Sequence, residues 1–318
     1  MAIARREFLR AVAAVTASTA APRFASAADF HSPFRISVIN DEISQDFAHA
    51  CEVAATEFGM RWIELRSMWK KNIVSLDEKE VAEARRILEK YQLKVSDIAS
   101  PSFKVDWPGA PKSKFGSEGG FSADFTFGQQ DEVLERAIAM AKAFNADRIR
   151  CFDFWRLEDQ APYRAAMNQK LLQAANTVGK SGIVLVLENE PSCNTATGAE
   201  AAKVLHEIPS PHFMLNWDPG NAAAHGEIPY PDGYNLLPKD RIGHCHCKDA
   251  VKTADGYDWA PMGGGIIDWA GQFQALKRDG YHFAVSLETH WRGAGSPEES
   301  SRKSWAGMKK LLQQAGAL

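Results

Sequence analysis

From residue 34 onward, short runs of β-branched and other apolar residues alternate with longer stretches whose apolar positions recur at helical spacing. Eight runs predict strands: FRISVIN (34–40), RWIELRS (61–67), KVSDIAS (94–100), DRIRCFDF (147–154), IVLVLENE (183–190), FMLNWD (213–218), IGHCHCK (242–248) and FAVSLETH (283–290). Each is mostly apolar rather than strictly alternating, the pattern of a parallel strand covered on both faces. Helical spacing predicts helices over Phe47–Phe58, Asp77–Tyr91, Asp131–Phe144, Tyr163–Lys180, Gly198–Glu207, Trp269–Arg278 and Ser301–Ala315. The charged run DEKEVAEARRILEK is the solvated face of the second of these.

Eight β/α units in one chain of 318 residues predict the α/β class and, within it, a single-domain (β/α)8 TIM barrel. An open doubly wound sheet would place a glycine-rich turn after the first strand, and INDEISQD has no glycine there. Two stretches exceed what a connection needs, 101–128 and 219–240; the first is either a lid or a passive surface loop.

The first 27 residues read differently from the rest. Arg5 and Arg6, then Phe8 and Leu9, precede a short Ala/Val/Thr run and an A-x-A site at Ala25 and Ala27. This segment resembles a twin-arginine export signal, which places the barrel at 28–318 and the mature protein in the periplasm. No other stretch is long and apolar enough to anchor it in a membrane. A net charge of -3 offers no field to attract nucleic acid. The five cysteines are scattered without C-x-x-C pairs, so Cys245 and Cys247 are expected to pack in the core rather than bind zinc.

Reactive groups in a parallel barrel project from the carboxyl ends of its strands. Four successive runs end in such groups: Glu188 and Glu190; Asp218; His244, His246 and Lys248; Glu288 and His290. Residues two apart share a face, and neighbouring strands lie about 4.8 Å apart, so Glu188, Asp218, His246 and Glu288 can converge on one ion. One carboxylate at a strand end is commonly a cap or ion-pair partner, but three together repel one another without a cation. Three oxygen donors and one nitrogen suit a divalent ion, Mn2+ first, with Co2+ or Mg2+ as substitutes. His244 lies one pleat deeper and is structural.

The motifs LVLENEP, NWDPGN, HCHCKDA, GGGIIDW and VSLETH, in this order, resemble the sugar phosphate isomerase/epimerase family, whose fold is the xylose isomerase-like TIM barrel. The resemblance covers essentially the whole chain after the export segment. It implies metal ligands at Glu188, Asp218, His246 and Glu288, with Glu188 and Glu288 doubling as the acid/base pair. Two departures stand out: Asn221 occupies a position where several epimerases place a histidine, and the Gly263–Gly265 turn lacks the usual acidic residue.

The chemistry expected is abstraction of the proton alpha to a carbonyl through an enediolate, with Glu188 and Glu288 as catalytic groups and Lys248 steadying the oxyanion. Return of the proton to the same carbon epimerises, return to the neighbouring carbon isomerises, and loss of a leaving group makes the protein a lyase acting on a 3-keto-glycoside. Glu42, Glu64, Arg66, Glu190, Asn221 and His290 are the expected substrate contacts, with Arg150 also at a strand end and Arg66–Glu64 alternatively a structural pair. Of Trp107, Trp155, Trp259 and Trp291, the first two are expected to stack on a sugar.

Export favours a free keto-sugar or oxidised glycoside over a sugar phosphate, and the glycine turn before the cap Asp268 is expected to be an ordinary helix entry. The expected partner is thus a small carbohydrate, with no nucleic acid, and a homo-oligomer is allowed. A related barrel that cleaves abasic DNA with three zinc ions needs histidines that the second and third strands lack. A non-catalytic, metal-containing sugar-binding protein is the alternative from another class.

Overall fold

The computed structural model describes residues 31–116 and 125–318, and residues 1–27, expected from the sequence to be an export signal, lie outside them. All eight expected strands form: β1 (Arg35–Val38), β2 (Trp62–Leu65), β3 (Lys94–Ser102), β4 (Arg148–Cys151), β5 (Val184–Glu188), β6 (Phe213–Trp217), β7 (Ile242–Cys247) and β8 (Ala284–Leu287). They pair in parallel from β2 round to β8 and then to β1. A parallel bridge between Ile39 and Glu64 brings the ends together, so the sheet is a nearly closed TIM barrel. Its strands are buried almost throughout, which accounts for their continuous apolar runs.

Helices cover the sheet outside: α1 (Phe47–Glu52), α2 (Glu78–Tyr91), α3 (Gln130–Phe144), α4 (Ala161–Gly179), α5 (Gly198–Glu207), α6 (Pro219–Ala224), α7 (Trp269–Arg278) and α8 (Pro297–Gln314). The local logic is clear in α2. Asp77 accepts from the amides of Lys79 and Glu80, and the Glu80 carboxylate accepts in return from the Asp77 amide. Ala84, Ile87 and Leu88 form its buried stripe, while the charged residues face water. The helix stops where Gln92 turns left-handed at φ 54°.

Two features depart from the sequence reading. The stretch 219–240 contains α6, because Asp218 caps the helix and Pro219 supplies its first turn. The chain after β7 forms a hairpin, Asp249–Thr253 against Gly256–Ala260, with Gly256 at φ 139° beside the turn. That hairpin carries Trp259 back over the carboxyl end of the barrel. In the described part of the 101–128 stretch, the amides of Phe154 and Trp155 donate to the carbonyls of Phe103 and Val105 at 3.0 Å each, so this segment is tied to the barrel. All five cysteines are free and buried, Cys245 and Cys247 in the main core.

Candidate metal and acid–base site

Glu188 ends β5, Asp218 follows β6, His246 lies within β7 and Glu288 follows β8. One ligand atom from each lies within 4.8 Å of all the others, and all four residues are buried. Nδ1 of His246 is central, 3.3 Å from Glu188 Oε1, 3.3 Å from Glu288 Oε2 and 3.7 Å from Asp218 Oδ2.

Short motifs after the strands hold these groups in place. The Asn189 side chain accepts from the Asp218 amide at 2.7 Å and donates to the Asp218 carbonyl at 2.9 Å. Asp218 Oδ1 accepts from the Asn221 amide at 2.9 Å as the cap of α6, which leaves Oδ2 to face the cluster. Asn221 Nδ2 donates to Glu188 Oε1 at 3.2 Å and to the Asn189 carbonyl at 2.8 Å. Asn221, expected as a substrate contact, thus braces two of the carboxylates.

Buried carboxylates this close need positive partners. Lys248 Nζ lies 2.8 Å from Asp218 Oδ2 and 2.6 Å from Glu288 Oε2. Arg150 reaches Glu188 Oε2 at 3.0 Å, and Arg66 reaches Glu288 Oε1 at 3.0 Å. Each of the two glutamates therefore places one oxygen in the cluster and the other on an arginine. Burial alone would raise the Glu188 carboxyl, but His246 and Arg150 bring it down to about 2. Burial also opposes ionisation of Glu288, and Lys248, His290 and His246 outweigh it, holding that carboxyl well below the ordinary range. Both are carboxylates at neutral pH. Lys248 stays charged because Asp218 and Glu288 outweigh its burial, and its ammonium lies 5.0 Å from the centre of the Trp259 ring.

Glu64 and Arg66, considered as a pair, have different partners. Arg66 binds Asp41 at 3.0 Å and Glu42 at 2.7 Å besides Glu288. Glu64 sits behind the cluster, 3.0 Å from Nε2 of His246 and 2.9 Å from Nε2 of His244. Burial would raise its carboxyl, but the two imidazoles hold it well below the usual range. Across the β2–β3 register lies Asp97, whose carboxyl burial and the Glu64 charge push well up. Glu42 is fully buried and bound to Arg292 at 2.7 Å as well as to Arg66. His290 lies 3.2 Å from Glu288 and edge-on to Trp259, with ring centres 5.3 Å apart.

The remaining expected contacts divide into two groups. Glu190 pairs with Lys104 at 3.3 Å, and that ammonium lies over the rings of Phe152 and Trp155 at 4.5 and 5.4 Å, making a polar and aromatic wall. Trp107 is instead packed edge-on against Phe127 and Phe154. Inspection of strand ends did not single out Lys104, Arg292, Asn189 or Asp97, which act through partners remote in sequence. The Asp255–Gly256 turn was the available signal for the hairpin that delivers Trp259.

The glycine turn carries its own anion. Asp249 Oδ2 accepts from the amides of Gly263 at 3.0 Å and Gly265 at 3.1 Å, while Oδ1 accepts from Ala250 at 3.0 Å and Ile267 at 3.3 Å. A Cβ on Gly265 would fall 2.1 Å from Asp249 Oδ1 and 2.4 Å from the Ala250 carbonyl. Asp268 caps α7 by accepting from the Gly271 amide at 2.9 Å, as its position before the helix led us to expect. Asp249→Ala should therefore cost about 2–4 kcal/mol of stability by removing the acceptor of four amides, of which those of Ala250 and Ile267 are buried, measured by urea denaturation. A loss under about 0.5 kcal/mol would contradict this role.

A parallel (β/α)8 barrel with three carboxylates and an imidazole converging at its carboxyl end has the architecture of a barrel active site able to hold a metal ion. Residues 53–311 match the model of the xylose isomerase-like TIM barrel family, and the chain belongs to that family. It is 22% identical over 190 residues to an L-ribulose-5-phosphate 3-epimerase, UlaE, of Escherichia coli, a match covering 58% of this chain and 64% of that protein. The chain thus spans a little under two thirds of the length of the curated relatives it matches. The probable 3-DHS dehydratase AsbF of Bacillus anthracis, described as involved in petrobactin synthesis, has the same fold, with TM-score 0.65, 20% identity, and 87% of this chain and 98% of that one covered. The IOLI protein, solved with a bound zinc atom, superimposes with TM-score 0.70 at 15% identity, covering 89% of this chain and 100% of the other.

Proposed function

We propose that this protein is a metal-dependent sugar isomerase or epimerase that abstracts the proton alpha to the carbonyl of an unphosphorylated keto-sugar or oxidised glycoside. One observation carries the reading: Glu188 and Glu288 reach the same cluster from strands separated by two others, each ionised and each steadied by an arginine. The family relationship and the epimerase among the relatives support it.

The donor set fits a divalent ion, since one imidazole nitrogen and three carboxylates lie within 4.8 Å of one another. Glu188, Asp218, His246 and Glu288 would hold it, with Mn2+ the best match and Co2+ or Mg2+ alternatives. Such an ion supplies Lewis acidity toward the carbonyl and its neighbouring hydroxyl. The rest is done by side chains of the chain itself. One of Glu188 and Glu288 accepts the proton from carbon; when the product is an epimer the other, having first taken up a proton from solvent or a substrate hydroxyl, returns it to the opposite face, and the first releases its own proton to solvent. Lys248 donates a hydrogen bond to the oxygen on which negative charge develops. The arginines keep both glutamates oriented, and Trp259 with His290 walls the approach beside Glu288.

The charge pattern favours a neutral substrate. Arg66, Arg150, Lys248, Lys104 and Arg292 are each already paired with carboxylates, and Asp249 fills the amides of the glycine turn that a phosphate would use. The proposal includes a periplasmic address, which rests on Arg5, Arg6, Ala25 and Ala27. Side-by-side kinetics of Mn2+-loaded protein on keto-sugars, 3-keto-glycosides and matching phosphate esters should give the unphosphorylated compounds the higher kcat/KM, by about 10-fold or more. A preference for the esters would overturn the substrate assignment. Release of the aglycone would identify the lyase, and binding without proton exchange would identify a carbohydrate receptor.

A further inference from the structure

The metal reading assigns His246 a ligand role through Nδ1, and the structure shows what sits on its other nitrogen. Nε2 of His246 lies 3.0 Å from Glu64 Oε1, and Nε2 of His244, two residues earlier on the same face of β7, lies 2.9 Å from Glu64 Oε2. Glu64 comes from β2 and is fully buried, so it has exchanged water for these two imidazoles. A carboxylate only accepts, so each of the two contacts is an N–H donating to oxygen. Nδ1 faces carboxylates as well, so the proton it carries without an ion is the one a bound ion would displace, and the neutral imidazole that remains keeps its single N–H on Nε2 and offers the lone pair of Nδ1. That is the nitrogen facing Glu188, Asp218 and Glu288. Asn216 Nδ2 is placed 3.1 Å from the same Nε2 while its Oδ1 is buried without a hydrogen bond. Turning that amide over would make Oδ1 a second acceptor for the same N–H.

We propose that Glu64 is a positioning residue for the metal site: it fixes the His246 tautomer whose Nδ1 is free to bind an ion, and His244 holds Glu64 in place through its second oxygen. This rests on the metal reading above and goes beyond it. Glu64 is no direct sugar contact, since a fully buried carboxylate spanning two imidazoles has no face left for substrate. The grouping of Glu64, His244 and His246 is correspondingly a hydrogen-bonded brace rather than a second ion site. His246 cannot give Nε2 to an ion there while donating from it to Glu64.

The test compares wild type with Glu64→Leu, which has no acceptor, and Glu64→Gln, which keeps the size and one acceptor oxygen. Calorimetric titration with Mn2+ should show affinity about 10- to 100-fold weaker for the leucine variant, with a smaller loss for glutamine. A spectroscopic readout separates positioning from general loosening. In Zn2+-loaded protein with 15N-labelled histidine, the resonances that vanish in His246→Ala should show a ligated Nδ1 and a protonated Nε2 whose proton is shifted downfield by hydrogen bonding. That proton should move upfield in either Glu64 variant. If the leucine variant fails to fold, the glutamine variant carries both measurements. Wild-type affinity in both variants, or an Nε2-ligated His246 in wild type, would overturn the proposal alone. Wild-type protein that takes up neither metal would defeat the metal reading itself.

Discussion

Glu188→Gln and Glu288→Gln are each expected to lower kcat by about 100- to 10,000-fold, with KM changed far less. The amide keeps the size of the side chain and one oxygen toward the cluster, but it cannot take a proton from carbon. Each arginine retains other acceptors: Arg150 also donates to the carbonyls of Ala99 and Ser100, and Arg66 to Asp41 and Glu42. The substitutions therefore leave no buried guanidinium stranded, and cooperative unfolding should persist. Because burial opposes ionisation while His246 and Arg150 bring Glu188 to about 2, the wild-type carboxylate is available throughout the neutral range. Near-normal turnover in both variants, measured in steady state with saturating Mn2+, would mean that another group is the base.

His246→Ala should lower Mn2+ affinity by more than the roughly 10- to 100-fold that loss of an outer-layer partner costs, because it deletes the one nitrogen donor of the cluster. The three carboxylates would remain with Lys248 and the two arginines as their positive neighbours. The barrel should therefore still fold, although Glu64 loses one of its two imidazole partners and stability falls. Elemental analysis after dialysis reads the outcome directly. Full occupancy in a folded variant would remove His246 from the ligand set.

The barrel was legible because its strands are buried on both faces and so write continuous apolar runs, eight of them with helical stretches between. The cluster was legible because a parallel barrel puts strand ends at one mouth, so Glu188, Asp218, His246 and Glu288 could be brought together from register alone. What surrounds them was not. Glu64 and Arg66 are two apart on one segment, yet one turns to imidazoles and the other to carboxylates, a choice made by neighbouring strands rather than by local sequence. Asp249 followed the HCHCK motif in plain view, but its role appears only once the Gly263–Gly265 turn folds back upon it. Pro219 looked like a loop residue until Asp218 was seen to cap a helix in front of it.

Isotope exchange in D2O, followed by NMR of the sugar, tests the central claim most directly. Mn2+-loaded protein incubated with unphosphorylated ketopentoses, ketohexoses and 3-keto-glycosides should place deuterium on the carbon alpha to the carbonyl of at least one of them. That exchange should stop on chelation, resume on adding Mn2+, and be lost in Glu188→Gln and Glu288→Gln. Exchange that survives both chelation and the two substitutions, or its absence from every sugar in the panel while the protein holds its metal, would contradict it.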